Sequence, residues 1–130
     1  MINQENEQNL VYEFKKNQDI LFAIGDQTRQ AILITLMQGL QHPGMRVGEI
    51  TAKTHLSRPA VSHHLKILKD AKIINVHKEG TMNYYHLDSK SKLKSLKNLV
   101  DQIEKIFLKC EAGTILYQSK GTEDENDCRN

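Results

Sequence analysis

The sequence of 130 residues has no tryptophan, and aromatic residues make up only 5% of it. This scarcity argues against an aromatic-rich β-sandwich. Together with a hydrophobic fraction of 38%, it favours a compact protein that is mainly helical. The length predicts a single domain with a modest core, because small domains bury a smaller share of their surface.

The sequence also lacks the features of exported, membrane and disulfide-rich proteins. No apolar run approaches the length that spans a bilayer, and the first residues, MINQENEQNL, are too polar for a signal peptide. The two cysteines, Cys110 and Cys128, do not make a disulfide framework and are expected to be reduced thiols. We therefore predict a cytoplasmic protein without a membrane partner.

Signatures of catalysis are missing as well. The chain has no Ser/His/Asp or Cys/His signature, no Gly-rich phosphate loop and no HExxH motif. A thiol–disulfide enzyme would need a Cys-x-x-Cys pair, and the chain has none. We predict that the protein is not an enzyme and uses no cofactor.

The net charge of +2 conceals an uneven distribution. Residues 46–94 contain ten lysines and arginines against four aspartates and glutamates, together with five of the six histidines. A basic central segment indicates a polyanionic partner. A lysine-rich surface that is merely solvated would have the same composition, so charge alone does not decide between a polyanionic partner and an ordinary solvated surface.

The N-terminal part is predicted to be helical. Polar residues 1–8 are expected to be flexible, and a helical pattern follows from Leu10 to Ile24. Asp26 is typical of an N-cap, and the helix that it opens is expected to end at Gly39.

The central part has the layout of a helix-turn-helix. After a loop and a short strand at Val47, a short helix is predicted over residues 49–55. Ser57 is a good N-cap, and Pro59 lies in the first turn of the next helix, which runs to Ala71. A short helix, a tight turn and a second helix in succession are the elements of this motif.

A β-hairpin and a long helix complete the predicted fold. IINVHK and NYYHL alternate apolar and polar residues on either side of EGT, which predicts two strands and a turn. Asp88 or Ser89 is expected to cap a final helix that reaches Cys110 or beyond. The folded domain is then 9–118, and the acidic tail, 119–130, is predicted to be disordered.

Two adjacent histidines, His63 and His64, stand in the second helix of the motif. Neighbouring helical residues point about 100° apart, so this pair cannot share a metal as residues four apart do. With Val61 on the buried side, His64 falls at its margin and is predicted to be a structural histidine bonded to a neighbour. His63 falls on the opposite, exposed face.

That exposed face carries hydrogen-bond donors for duplex DNA. In a helix-turn-helix the second helix enters the major groove with its N-terminal residues close to base edges. The side chains that would donate to bases or phosphates there are Ser57, Arg58, Ser62, His63 and Lys66. A merely solvated helix face is the alternative interpretation.

Three segments, DQTRQAIL, VGEITAKTHLSRPAVSHHLKILKDAKII and KEGTMNYYHL, resemble the ArsR/SmtB family of winged helix-turn-helix repressors. The resemblance extends from Ile24 to Leu87, and Gln27 stands where the family usually has proline. It implies a homodimer that binds double-stranded DNA with an inverted repeat, usually as a repressor, until an inducer releases it. It also implies base or phosphate contacts at Ser57, Arg58, Ser62 and His63, and wing contacts at Lys78 and Thr81.

The metal-sensing sites of the family are not matched. Many members carry a Cys-x-Cys pair beside the first helix of the motif, where this chain has MRVGEI. Others use Asp, His and Glu on the final helix, where this chain has Asp101 and Glu104 but no histidine beyond His86. We therefore predict no metal site. An atypical metal site that uses His42 or His86 stays open.

The final helix carries a heptad pattern. Its apolar residues recur at spacings of three and four, which predicts a seam between two helices of a dimer. These residues are Leu93, Leu96, Val100, Ile103, Phe107 and Cys110. As an alternative, this apolar stripe packs only on its own domain. Cys110 is either a thiol switch between the two chains or a small buried hydrophobic residue.

We predict a sequence-specific DNA-binding transcriptional regulator, a homodimeric repressor of ArsR type without the usual metal sites. The fold is predicted to be mainly α with a small β-hairpin, a winged helix-turn-helix whose N- and C-terminal helices form the dimer interface. Two alternatives use the same scaffold. One is a redox sensor at Cys110 or an atypical metal sensor, and the other is a winged-helix protein-interaction module.

Overall fold

A computed structural model describes residues 2–39 and 43–118, and it describes side chains as far as Glu111 in the final helix. The helices and strands follow in the order α1 (Gln4–Lys16), α2 (Gln18–Ile24), α3 (Gln27–Gln38), α4 (Val47–Thr54), α5 (Arg58–Asp70), β1 (Ile74–Glu79), β2 (Met82–Leu87) and α6 (Leu93–Gln118). The predicted fold class, a winged helix-turn-helix that is mainly α with one hairpin, is confirmed. The chain forms two compact units, Asn17–Lys94 and the helices α1 and α6 from residues 2–16 and 95–118.

The central unit is built on the apolar faces of its four helices. On α5, Val61, Leu65 and Leu68 recur at helical spacing and are fully buried, as the pattern predicts. Burying such a side chain contributes roughly 1.5–3 kcal/mol each. The other buried apolar side chains of this unit are Ile20, Ala23, Ile32, Leu33, Leu36, Met45, Ile50, Ala71, Ile73 and Ile74.

Local capping explains where α3 and α5 begin and end. The carboxylate of Asp26 accepts the Arg29 backbone N–H at 3.0 Å, and the Ser57 hydroxyl accepts the Ala60 N–H at 3.2 Å, so both predicted N-caps are confirmed. At the end of α5, Lys72 takes a φ of 62°, and the Ile73 N–H donates to Leu68 O at 3.1 Å. This is a Schellman motif with lysine at the left-handed position that glycine favours.

The hairpin pairs Ile74 with Leu87 at its open end and Glu79 with Met82 at its turn. Gly80 takes a φ of 63° as the first residue of the two-residue turn, a conformation that glycine adopts without strain. The hairpin is therefore as predicted.

The predicted strand at Val47 is wrong. Val47 opens α4, because the Glu49 carboxylate accepts the Arg46 N–H at 3.0 Å and caps that helix from its third residue. The extended residue is Met45, which exchanges two hydrogen bonds with Tyr85 at 2.8 and 2.7 Å. Gly44 permits this approach, since a Cβ there would lie 2.5 Å from Tyr85 O.

Several predicted boundaries differ from the structure, three of them by more than two residues or by a division of the element. Helix α1 begins at Gln4, inside the segment predicted to be flexible, because the Asn3 side chain caps it by accepting the Asn6 N–H at 2.7 Å. The predicted single helix from Leu10 to Ile24 is divided at Asn17. The final helix begins at Leu93, since Asp88 instead accepts the Lys90 N–H in a turn.

The tail predicted to be disordered, 119–130, lies outside the described residues. Among the helices that the structure describes, none is long and apolar enough to cross a membrane.

Candidate nucleic-acid interface

Helix α5 presents a polar face opposite its buried stripe. The five donors predicted on this helix and its N-cap are all exposed: Ser57, Arg58, Ser62, His63 and Lys66. Val61, Leu65 and Leu68 face the core. The polar donors and these apolar residues therefore lie on opposite faces of α5, because of their spacing along the helix. An exposed row of hydroxyl, imidazole, ammonium and guanidinium groups can hydrogen-bond to base edges and phosphates.

His64 is half-buried and bonded to a neighbour. Its Nδ1 lies 3.2 Å from Nη1 of Arg29 on α3. A guanidinium only donates, so Nδ1 of His64 is the acceptor in this hydrogen bond. The ring of His63 lies 5.4 Å away, centroid to centroid, in an edge arrangement. The two histidines therefore occupy different environments, with His64 in a structural role.

Arg29 joins three helices. It is 5% exposed, its Nε donates to Ala23 O at 2.7 Å, and its Nη2 donates to Phe22 O at 3.0 Å, both at the C-terminal end of α2. A cation at this end also interacts favourably with the helix dipole. Together with the bond to His64, these contacts hold α5 against α2 and α3. The sequence pattern does not predict that Arg29 is a positioning residue, although Arg29 lies in the DQTR motif.

Arg29 also shifts the pKa of one carboxyl group, that of Asp26. The hydrogen bond from the Arg29 backbone N–H, together with the positive charge of Arg29, lowers the pKa of Asp26 below its ordinary value of 3.8. Asp26 is therefore ionised throughout the neutral range, and its charge favours the N-terminus of α3.

Lys66 forms an ion pair with Asp70, its Nζ lying 3.0 Å from Oδ2. The two side chains are 75% and 64% exposed, and an ion pair between exposed groups contributes only about 0–1 kcal/mol. A phosphate could therefore replace Asp70 as the partner of Lys66 at little cost.

The wing contributes two further predicted residues. Lys78 on β1 pairs with Asn83 on β2, and Thr81 lies in the turn. Both Lys78 and Thr81 are exposed, and nothing lies within 4 Å of the position of a Cβ on Gly80. The tip of the wing is thus open to a macromolecule.

A cleft of about 450 Å³ connects the motif with the wing. It is lined by Arg46, Val47, Gly48, Glu49, Arg58, Thr81 and Asn83. Of the predicted contact residues, the cleft brings together Arg58 and Thr81, but not Lys66 or Lys78. Arg46 and Asn83 were not predicted as contact residues, and the only signal in the sequence was that Arg46 belongs to the basic central segment.

Except for Leu93, which belongs to the Asn17–Lys94 unit, the predicted seam lies on the unit formed by α1 and α6. Leu93, Val100 and Phe107 of α6 are exposed, whereas Leu96, Ile103 and Cys110 are half-buried. Leu99, which the heptad pattern leaves out, is buried. Helix α1 also exposes Val11, Tyr12 and Phe14. Within the described part of the chain, α1 and α6 therefore carry apolar side chains that are exposed to solvent.

Among residues 2–39 and 43–118, no group of three His, Cys, Asp or Glu side chains could hold a metal ion. Asp101 and Glu104 are exposed on α6, and Nδ1 of His86 lies 3.0 Å from Leu87 O. His42 lies outside the described residues.

Comparison with known proteins agrees with this architecture. The family model described as "Bacterial regulatory protein, arsR family" matches residues 26–76. The chain is 36% identical over 91 residues to an uncharacterised HTH-type transcriptional regulator of Methanocaldococcus jannaschii, covering 70% of this chain and 98% of that protein. It is 39% identical over 71 residues to the transcriptional repressor SdpR of Bacillus subtilis, covering 55% of this chain and 74% of the repressor.

A solved structure of an ArsR-like transcriptional regulator from a Rhodococcus species superposes with a TM-score of 0.69 at 19% identity. That superposition covers 87% of this chain and 98% of the other, and it supports the fold. The exposed polar face of α5 and the open wing are thus parts of a DNA-binding regulator, and the chain belongs to the ArsR family of winged helix-turn-helix transcriptional regulators.

Proposed function

We propose that the protein is a homodimeric transcriptional repressor that binds an inverted repeat in double-stranded DNA. The observation that carries the proposal is the exposed polar face of α5, which is held at a set angle by the buried stripe behind it and by Arg29. Its relative SdpR is named a transcriptional repressor, which supports the same role here. The protein would act in the cytoplasm, where the chromosome lies.

In the proposed complex, α5 enters the major groove. Ser62 and His63 would donate to base edges, and each good base contact contributes about 1–3 kcal/mol of discrimination. Phosphates of the two strands would be contacted by Ser57, Arg58 and Lys66 from the helix, and by Lys78 and Thr81 from the wing. Removing a base contact is expected to relax specificity, whereas removing a phosphate contact weakens binding to all sequences.

Two features support the proposed dimer. Each chain has one recognition helix, and α1 and α6 expose apolar side chains. One recognition helix contacts only one half-site, and an inverted repeat requires two helices related by a twofold axis. Val100 and Phe107 are 53% and 46% exposed, and Val11 and Phe14 on α1 are also exposed. These side chains are the candidates for burial in a twofold interface. A dimer that binds half-sites one helical turn apart needs its recognition helices about 34 Å apart.

The proposed repressor works without the usual metal sites of its family. The position of the Cys-x-Cys pair is occupied by Met45–Ile50, and α6 has Asp101 and Glu104 without a histidine ligand. Zinc and related ions require imidazole or thiolate ligands that neither position supplies. Metal titration monitored by thermal unfolding tests this, because an ion that binds the native state raises the melting temperature.

Selection of bound duplexes from a random DNA pool, at near-physiological salt, tests the function. Enrichment of an inverted repeat with half-sites about one helical turn apart is the expected result. A folded protein that enriches no sequence would contradict the proposal and favour a protein-interaction module.

A pair of variants tests the groove assignment on the selected duplex. The double substitution Arg58→Ala and His63→Ala should reduce operator affinity strongly and lower the ratio of specific to non-specific binding. The matched control is Lys53→Ala and His55→Ala, which likewise removes one basic side chain and one histidine, here from the end of α4 and the turn after it. Equal affinities of the two double variants would show that α5 does not enter the groove.

A further inference from the structure

We infer that the cleft between α4, the start of α5 and β2 binds one phosphodiester group of the DNA backbone, with Arg46 and Arg58 as its two cationic contacts. The inference rests on the proposed function and adds two residues to it, Arg46 and Asn83. It also places Arg58 and Thr81, which the proposed function assigns to phosphates, at the same phosphate.

The guanidinium of Arg58 lies over the first turn of α4. Its Nη1 is 3.4 Å from the position that a Cβ of Gly48 would occupy. Since Arg58 is the first residue of α5, its side chain turns back from the recognition helix towards the preceding helix. Arg46 immediately precedes α4 and lines the same cleft. Two cationic side chains from different elements thus converge on one space.

The charges around this space favour an anion. Arg46 and Arg58 are exposed, and within the described part of the chain neither forms an ion pair with a carboxylate. The lining contains one acidic residue, Glu49, whose Oε1 accepts the Arg46 N–H at 3.0 Å and caps α4. Two guanidinium groups against one carboxylate leave an excess positive charge, and a phosphodiester carries one negative charge.

The remaining polar groups can donate hydrogen bonds. The Asn83 amide and the Thr81 hydroxyl line the wing side of the cleft, opposite α4. Both side chains are exposed. Arginine binds phosphate oxygens through two parallel N–H groups, and amide and hydroxyl groups supply the neutral contacts of a typical backbone site.

The position of the cleft favours the DNA backbone over a base as its occupant. It lies between α4 and the wing and includes only the first residue of the recognition helix, whereas the groove-facing donors Ser62 and His63 are not part of it. When a recognition helix occupies the major groove, elements that flank it lie against the sugar-phosphate backbone. A volume of about 450 Å³ gives room for a phosphate together with its adjoining sugar.

Gly48 keeps the cleft open. A methyl group there would just touch the Arg58 guanidinium, and a larger side chain would displace it. Gly48→Leu is therefore a variant that alters the cleft without changing any charge, and leucine suits an exposed helical position.

The test is the salt dependence of binding to a short duplex of arbitrary sequence. For each phosphate neutralised, the slope of log affinity against log salt is about 0.9. Arg46→Gln should lower the slope by up to about 0.9 per bound subunit, with Arg58 still in contact with the same phosphate, and weaken binding roughly tenfold, equally for all sequences. Asn83→Ala and Gly48→Leu should weaken binding with smaller changes in slope. Lys53→Gln, at the other end of α4, is the matched control and should leave the slope unchanged.

Neutral methylphosphonate linkages locate the phosphate on the selected operator. One linkage per half-site should weaken binding of the unmodified protein more than that of Arg46→Gln, because the variant has already lost one of the two cationic contacts with that phosphate. If the effects of the neutral linkage and of Arg46→Gln on binding were additive at every position of the linkage, the site would be overturned. Equal salt slopes for Arg46→Gln and Lys53→Gln would overturn it as well.

Failure of the site is distinguishable from failure of the function. If the unmodified protein binds no duplex, the proposed function is wrong. If it binds and Arg46→Gln and Asn83→Ala behave like Lys53→Gln, only the phosphate site is wrong. These two variants are exposed substitutions that should keep the melting temperature, so loss of folding would not explain their effects.

Discussion

Replacing Arg29 with methionine should destabilise the central unit severely. Methionine fills a similar volume but donates no hydrogen bond, so the Ala23 carbonyl and the Nδ1 of His64 lose the donor that Arg29 supplies. The Phe22 carbonyl keeps only the Gly25 N–H, at 3.3 Å. A hydrogen bond from a charged donor contributes about 1.5–3 kcal/mol, and a buried acceptor without a partner adds a cost of about 1–3 kcal/mol. The bond to Ala23 is buried and the other two are part-buried.

We therefore expect Arg29→Met to lower the free energy of unfolding by about 3–5 kcal/mol, a large share of the total for a small domain. Urea unfolding, followed by circular dichroism, measures this loss, and the midpoint should fall by roughly 2 M. The slope of the free energy against urea should not change, because the surface exposed on unfolding is the same.

Gln30→Met is the matched control. Gln30 is the next residue of α3, and its Nε2 donates to Ile24 O at 2.9 Å, close to the carbonyls that Arg29 contacts, but this bond is exposed. Its loss should cost about 1 kcal/mol or less. If Arg29→Met proved no more destabilising than Gln30→Met, the assignment of Arg29 as the link between the three helices would be refuted.

A double-mutant cycle isolates the contact with the recognition helix. Arg29→Met and His64→Ala should be non-additive by about 1 kcal/mol, because both remove the same hydrogen bond. His64→Ala should also reduce operator affinity, although His64 does not face the DNA, since α5 loses one of its anchors. If the two substitutions changed the free energy of unfolding additively, the 3.2 Å contact between Arg29 Nη1 and His64 Nδ1 would contribute nothing to stability.

Three further predictions concern a helix end, a carboxyl and the seam. Lys72→Gly should raise the free energy of unfolding by about 0.5–1 kcal/mol, because glycine takes the φ of 62° without strain; an unchanged urea midpoint would contradict this. The pKa of Asp26 is lowered by folding, so its carboxylate stabilises the protein above pH 3.8, and this contribution is lost as the pH falls through the lowered pKa. The difference in urea midpoint between the unmodified protein and Asp26→Asn, which retains a capping acceptor, should therefore shrink in acid, and a difference independent of pH would refute this origin. Phe107→Glu should convert the proposed dimer to a folded monomer in sedimentation, whereas Lys97→Glu on the same helix should not. If the two variants sedimented alike, Phe107 would not belong to the dimer interface.

The caps and the core of α5 were predictable because they depend on short sequence separations. Asp26 and Ser57 each accept an N–H from three residues ahead, and Val61, Leu65 and Leu68 follow the helical period. The division at Asn17 and the start of α6 at Leu93 were missed. Hydrophobic periodicity continues across the first boundary, and at the second a turn around Asp88 used the residue expected to cap the helix.

The sequence by itself determined the class of the protein. Its motif segments, basic centre and hairpin pattern predicted a winged helix-turn-helix regulator of the ArsR family, and the fold and family are confirmed. These properties are local, since they depend on period, capping and turn chemistry within a few residues. The heptad seam on α6 is equally local, and its partner stays a prediction.

Only the tertiary structure decided which distant residues act together. Arg29 meets His64 across 35 positions of the chain, and Arg46 and Asn83 share a cleft although β1 and the whole recognition helix separate them in sequence. Contacts of this kind depend on how α2–α5 pack around one core, and no period or motif within a single element encodes them. Folding therefore determines both the angle of the recognition helix and the place where a phosphate can be held beside it.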